Sequence, residues 1–297
     1  MLSQQWQDYF NSPYSRRLLL RQGARLAAAL ALGAVPGLQH GAARRLTSLP
    51  ADPFTLGVAS GDPTADSVVL WTRLANDVLR EMGADQDAIE IAYEISDSES
   101  FRNVLRRGVI VAPAELGHSA HAEVRGLQAD TVYYYRWQIG DVTSATGRTK
   151  TAPAADVDIP QFRFAFASCQ QYEHGYYTAY RHMAEEDFDL IVHLGDYIYE
   201  SSWGDVRVRA HEGPEIRNLA DYRARYNTYK SDPDLQAAHA SAPWAVTWDD
   251  HEVGVGESGG LGVDQRLDLR ADTEDEIDPI PRQSPEPCTL IGRARCP

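Results

Sequence analysis

Asp187-Phe188-Asp189-Leu190-Ile191-Val192-His193-Leu194-Gly195-Asp196-Tyr197-Ile198-Tyr199-Glu200 contains an aliphatic run that stops abruptly at a glycine, a carboxylate and two phenols. A short run with β-branched residues, acids before it and Gly195 after it, predicts a strand covered on both faces. Ligands of open α/β sheets gather beyond the carboxyl ends of such strands. Gly195 lets the backbone turn and leaves room close to the main chain, and Asp196 offers a hard oxygen donor there. His193, inside the run, reads as a buried neutral histidine bonded to backbone. Alone, a Gly-Asp turn after a strand is a weak signal, because its Asp more often caps a helix or bonds its own backbone.

Two other stretches strengthen it. Gln161-Phe162-Arg163-Phe164-Ala165-Phe166-Ala167 alternates like a strand and ends at Ser168-Cys169-Gln170-Gln171, which puts a thiol where the first run puts Asp196. Pro243-Trp244-Ala245-Val246-Thr247-Trp248 ends at Asp249-Asp250-His251-Glu252. Three carboxylates and an imidazole in succession repel one another unless cations or hydrogen bonds offset them. A metal site explains that cluster better than a solvated acidic turn, because an apolar, tryptophan-bearing strand delivers it.

In this order, Ser168-Cys169-Gln170, Gly195-Asp196-Tyr197-Ile198-Tyr199-Glu200 and Trp248-Asp249-Asp250-His251-Glu252-Val253 resemble the three signature stretches of PhoD-type alkaline phosphatases. Leu219 to Tyr226 and Ser231 to Gln236 resemble the helical connection of that family. The resemblance runs from Phe54 to Val253. It implies a calcineurin-like metallophosphoesterase fold and a site holding iron (Fe3+) and calcium (Ca2+). Carried over residue by residue, it assigns Cys169 and Tyr199 to the ferric ion, Asp196 to a bridging position and Asp249 to calcium. Asp250 is the second choice for calcium, and His251 stands just outside the ligands. Asp250 and His251 are the candidate catalytic residues.

The chain has 297 residues, 43% hydrophobic, enough for two domains with real cores. Its formal net charge is -15, while residues 1–50 hold six arginines against one acid, Asp8. So acidic a body is a poor partner for nucleic acid. Three cysteines, Cys169, Cys288 and Cys296, do not make a disulfide framework. Arg16-Arg17 followed by the apolar run Leu26 to Val35 looks like a twin-arginine (Tat) export signal over residues 1–43. That predicts a periplasmic or secreted protein that meets the Tat machinery. The run is too short, and too interrupted by Gly33 and Pro36, for a membrane anchor. The alternative is an amphipathic N-terminal helix with an incidental arginine pair.

Residues 51–150 read as short strands at 54–59, 67–72, 89–95, 108–111, 121–124 and 131–137, an all-β fibronectin/Ig-like sandwich. Leu127, Thr131 and Tyr133 resemble a tyrosine corner. A linker at 151–160 leads to a partial, α/β phosphatase domain at 161–253. There 178–185 is a helix between parallel strands, and Leu219, Tyr222, Tyr226 and Tyr229 mark one helix laying a stripe on the sheet. Arg207 and His211 are loop residues that could reach substrate. Residues 254–297 contain no Phe, Trp, Tyr, His or Asn and read as a disordered, non-homologous tail. Here the chain departs from the family and looks C-terminally truncated.

Three functions compete. The first is a secreted, monomeric hydrolase of phosphate monoesters or diesters acting through metal-activated water. The second is an inactive fragment of such an enzyme. The third, a non-enzymatic secreted β-sandwich binding protein, leaves Cys169, Asp196 and Asp249 unexplained.

Overall fold

Alternating burial turns the first half of the chain into strands. Along Ser67–Arg73 (β2) Val68, Leu70 and Thr72 are buried while Val69, Trp71 and Arg73 are only half-buried. Ser119–Arg125 (β5) buries Ala120, Ala122 and Val124 in the same rhythm. Val132–Ile139 (β6) buries Tyr133, Tyr135, Trp137 and Ile139. The computed structural model describes residues 43–202, 204, 206–252 and 292–294. All but the last residue of the expected export signal at 1–43, and nearly all of the tail, lie outside these residues.

Two sheets result. In the smaller, Ile89–Ser96 (β3) lies between Val104–Ala112 (β4) and β6. β6 also pairs with Val142–Thr143 (β7) and Gly147–Lys150 (β8), every pairing antiparallel. Val58–Gly61 (β1), β2 and β5 form an antiparallel set facing it. The core between them holds Val68, Leu70, Ile89, Ile91, Ile95, Tyr135 and Trp137. Burying each aliphatic side chain there contributes roughly 1.5–3 kcal/mol. The Ser60 hydroxyl donates to Thr149 Oγ1 at 2.8 Å inside this core, tying the sheets together. The tyrosine corner is present: Gln128 N–H donates to the Tyr133 phenol at 2.8 Å.

The second half supplies parallel strands. Phe164–Ala167 (β9), Leu190–His193 (β10) and Pro243–Val246 (β11) run side by side in register. Helix α2 (Thr178–Ala184) connects β9 to β10, and α3 (Leu219–Lys230) and α4 (Pro233–Ser241) connect β10 to β11. Tyr180, Met183, Tyr229, Leu235 and Ala238 from these helices share a core with Ala165, Ile191 and Trp244 of the sheet.

β11 pairs in parallel with β1, placing Ser60 opposite Pro243 and Gly61 opposite Trp244. A single seven-stranded sheet therefore runs β12-β9-β10-β11-β1-β2-β5, where β12 is Gly292–Ala294, antiparallel to β9. The described residues from Arg44 onward form one compact unit. The architecture is a β-rich first part and a mixed α/β second part sharing that sheet across the segment 151–163, which has no regular structure.

Local readings shift for identifiable reasons. β1 begins at Val58, because residues 54–57 close a turn in which Gly57, at φ 76°, donates to Phe54 O at 2.9 Å. β11 ends at Val246, leaving Trp248 75% exposed. Of the expected helical stripe, Tyr222, Tyr226 and Tyr229 pack on the core and Leu219 is exposed, while Arg225 and Thr228 are buried as well. Asp232 then starts a separate helix, its carboxylate accepting from Asp234 N–H at 2.9 Å and Leu235 N–H at 3.1 Å. Beyond Glu252, the described part of the tail is β12.

Candidate metal centre

The exits of β9, β10 and β11 lie next to one another because the strands are parallel and in register. The first two exits are sewn together by backbone: Cys169 N–H donates to Gly195 O at 3.1 Å and Gln170 N–H to Asp196 O at 3.1 Å. Cys169 (φ 55°) and Asp196 (φ 53°) both take left-handed backbone, which costs a non-glycine residue roughly 1 kcal/mol or more. Gly195, at φ 114°, is needed twice over, since a Cβ there would lie 2.5 Å from Asp249 Cβ. The glycine is what lets the β11 exit close onto the β10 exit.

Glu252 completes the closure. Its buried carboxylate accepts from Asp196 N–H at 3.1 Å, Ile198 N–H at 3.2 Å and Asp249 N–H at 2.7 Å, and also from Tyr197 N–H. One side chain thus satisfies the backbone of both acidic turns and holds them in register.

Cys169, Asp196 and Tyr199 converge. The Tyr199 phenol donates to Asp196 Oδ2 at 3.2 Å, and the Cys169 thiol lies against both groups. Burial pushes the Cys169 thiol up; Ser168 opposes this and Asp196 adds to it. Burial, followed by the nearby Asp196 and Cys169, also raises the Tyr199 phenol. Thiol and phenol therefore keep their protons until a cation replaces them, as anionic sulfur and oxygen donors require.

Asp196, Asp250 and His251 form a second grouping, in which one ligand atom from each lies within 4.8 Å of the others. His251 Nδ1 is 2.7 Å from Glu200 Oε2, and its ring packs on Tyr199 with centroids 4.2 Å apart. Burial alone lowers the His251 pKa, but the pairing with Glu200 outweighs it and the net shift is upward. With Nδ1 committed to Glu200, Nε2 is the ring nitrogen left to face the neighbouring acids or a substrate oxygen. Asp249 and Asp250 are both exposed, and Asp249 Oδ1 accepts from Asp250 N–H at 3.0 Å. The geometry brings Asp250 and His251 close to Asp196.

His193 is fully buried, with Nδ1 accepting from Gly195 N–H at 3.3 Å, and burial lowers it to about 4. Arg207 and His211 both contact the buried Glu173. Arg207 Nη1 is 3.6 Å from Glu173 Oε1, His211 N–H donates to the same oxygen at 3.0 Å, and His211 Nε2 pairs with the Tyr229 phenol at 3.0 Å. These contacts pin the loop after Tyr199 onto α3. Sequence reasoning missed the roles of Glu252 and Glu200. Both stood in the motifs as surplus acids, and nothing in composition separates a carboxylate that accepts backbone N–H groups from one that binds an ion.

Fold and site together define an α/β protein with candidate metal ligands at the carboxyl ends of parallel strands. Residues 41–153 match the model of the PhoD-like phosphatase N-terminal domain, and residues 164–254 match that of the PhoD-like phosphatase. The chain belongs to the PhoD-like phosphatase family. It is 49% identical over 257 residues to alkaline phosphatase D of Bacillus subtilis (strain 168), covering 83% of this chain and 43% of that protein. A solved structure of PhoD aligns at 54% identity with a TM-score of 0.66, covering 69% of this chain and 40% of that one. The chain thus spans about two fifths of the length of the relatives it matches. Among the described residues, no helix is long and apolar enough to cross a membrane.

Proposed function

We propose that the chain is a metal-dependent phosphoesterase acting on phosphate monoesters or diesters. The observation that carries this reading is the convergence of Cys169, Asp196 and Tyr199 beside the Asp196, Asp250 and His251 grouping. The thiol, the phenol and Asp196 would hold a ferric ion; Asp196 and Asp250 would hold calcium, which prefers carboxylate oxygens. Bound there, the cations would offset charge on the phosphoryl oxygens and make a water molecule more acidic. His251, whose protonated form Glu200 favours, donates a proton to the leaving oxygen. Glu252 and Gly195 keep these groups at fixed separation, on which electrostatic stabilisation of a transferring phosphoryl group depends.

The same reading takes residues 51–150 as a fibronectin-like sandwich, 151–160 as the linker and 161–253 as calcineurin-like. It also takes 1–43 as a Tat signal on a monomeric, exported protein. Replacing Arg16 and Arg17 by lysine is expected to leave the protein in the cytoplasm, followed by fractionation; undiminished export would remove the Tat assignment.

The function is tested on the full chain produced with iron and calcium. Expected are bound iron, a phenolate-to-iron absorption band that Tyr199→Phe removes, and turnover of a chromogenic phosphate ester that chelation or Asp196→Asn abolishes. Colourless protein free of iron counts against the ligand assignment. A second reading, a chain that holds metal without turnover, is favoured by the exposure of Asp249, Asp250 and Trp248, since such chemistry needs a partly dry cleft. Bound iron with no turnover selects it.

A further inference from the structure

On the helix-bearing side of the large sheet a cavity of about 500 Å³ runs along β1 and β2, from Leu56 and Arg73 to Gly61, Val246 and Trp248. That size suits a small organic ligand. Its far end is the sheet end that carries the candidate metal centre, because β1 and β11 are parallel. The wall residues Tyr197 and Trp248 each adjoin an acid of the two turns, Asp196 and Asp249.

The lining is aromatic, with Trp71, Tyr197, Tyr226, Trp244 and Trp248 around one amine. Lys230 Nζ sits 4.5 Å from the Trp71 ring centroid and 5.7 Å from that of Tyr197. Among the described residues it makes no ion pair, and burial pushes its ammonium down to about 7. An ammonium against aromatic faces is held by cation–π attraction and still lacks an acceptor for its protons. Flat aromatic walls and a cationic donor without an anion are complementary to a planar ring bearing an anionic group.

We propose that this cavity receives the alcohol portion of the phosphate ester, and that the alcohol it suits is an aromatic one carrying an anionic substituent, which Lys230 binds. The inference rests on the phosphoesterase reading and adds its substrate class. Because none of the candidate metal ligands lines the cavity, the two can be tested apart.

The probes are 4-hydroxybenzoate for the cavity alone, with acetate as its non-aromatic control, and 4-carboxyphenyl phosphate against methyl phosphate for the site as a whole. On the full chain, 4-hydroxybenzoate is expected to bind at least about tenfold more tightly than acetate by calorimetry, and chelation should not release it. Lys230→Met, which keeps most of the side-chain volume, should weaken it on the order of tenfold. Trp248→Ala removes an exposed side chain at the mouth, so folding is preserved, and should weaken it several-fold. In the metal-loaded protein, Lys230→Met should lower the ratio of kcat/KM for the aryl ester over methyl phosphate on the order of tenfold. Absence of binding, binding indifferent to both substitutions, or an unchanged ratio overturns the proposal. Binding of 4-hydroxybenzoate with no turnover of either ester overturns the phosphoesterase reading on which the ester assignment depends and leaves an aromatic-anion site.

Discussion

Glu252 shows how much of this site is held by one residue. Four backbone N–H groups from two turns converge on its carboxylate. Each hydrogen bond to a charged acceptor contributes about 1.5–3 kcal/mol, and removing the acceptor leaves buried donors unmatched. Glu252→Ala is therefore expected to destabilise the protein by roughly 3 kcal/mol or more and to cut metal retention well below that of the parent. Thermal unfolding and metal analysis of the purified variant check this. Full metal retention would show that the turns keep their register without Glu252.

Among the elements, α4 depends on its first residue. Asp232 caps the helix and pairs with Arg209 Nη1 at 2.6 Å, and both side chains are almost wholly buried. Replacing it by alanine removes the cap, worth about 1 kcal/mol, and leaves a buried guanidinium without its anion, which costs roughly 3–5 kcal/mol. Asp232→Asn keeps the cap and loses only the charge, so it should fall between alanine and the parent in denaturant unfolding. Tyr133→Phe is the milder counterpart in the β-rich part. It leaves the Gln128 N–H unpaired, for an expected loss of about 1 kcal/mol. The strand readings survived almost unchanged because alternating burial is written directly in residue order, as β2, β5 and β6 show. The stripe on α3 holds at Tyr222, Tyr226 and Tyr229 but not at Leu219, which turns outward, and Arg225 is buried beside it, its Nη2 donating to Pro214 O at 2.9 Å and its Nη1 to Tyr199 O. A buried arginine is chosen by distant carbonyls, not by the hydrophobic period of its own helix.

For the whole molecule the buried histidines set a dependence on pH. Burial lowers His193 to about 4, and His239 and His211 are also well below the ordinary value of 6.5. Unfolded, these groups take up protons below pH 6.5 that the native state refuses, so stability falls as pH drops through that window. Each contributes a slope of about 1.4 kcal/mol per pH unit there. His251 works in the opposite direction, since Glu200 favours its protonated form in the fold. Burial lowers His118 and His121 as well, and five against one predicts lower stability at pH 5 than at pH 7 in urea unfolding, with the difference reduced in His193→Phe. A flat or inverted profile would show that these rings protonate inside the fold.

The amino-acid order by itself determined the strands, the glycine and acids at their ends, and hence the class of chemistry, because strand period and donor type are local properties. It also singled out Cys169, Asp196 and Tyr199, which the fold brings together. Only tertiary structure decided which acids face a shared point. Asp250 and His251 come close to Asp196 because the last turn closes over Gly195, where a Cβ would lie 2.5 Å from Asp249 Cβ. Tertiary structure also decided that β11 pairs with β1, which extends one sheet through both halves and creates the cavity along β1 and β2. Such pairings depend on registers between residues far apart in the chain, and no local pattern records them.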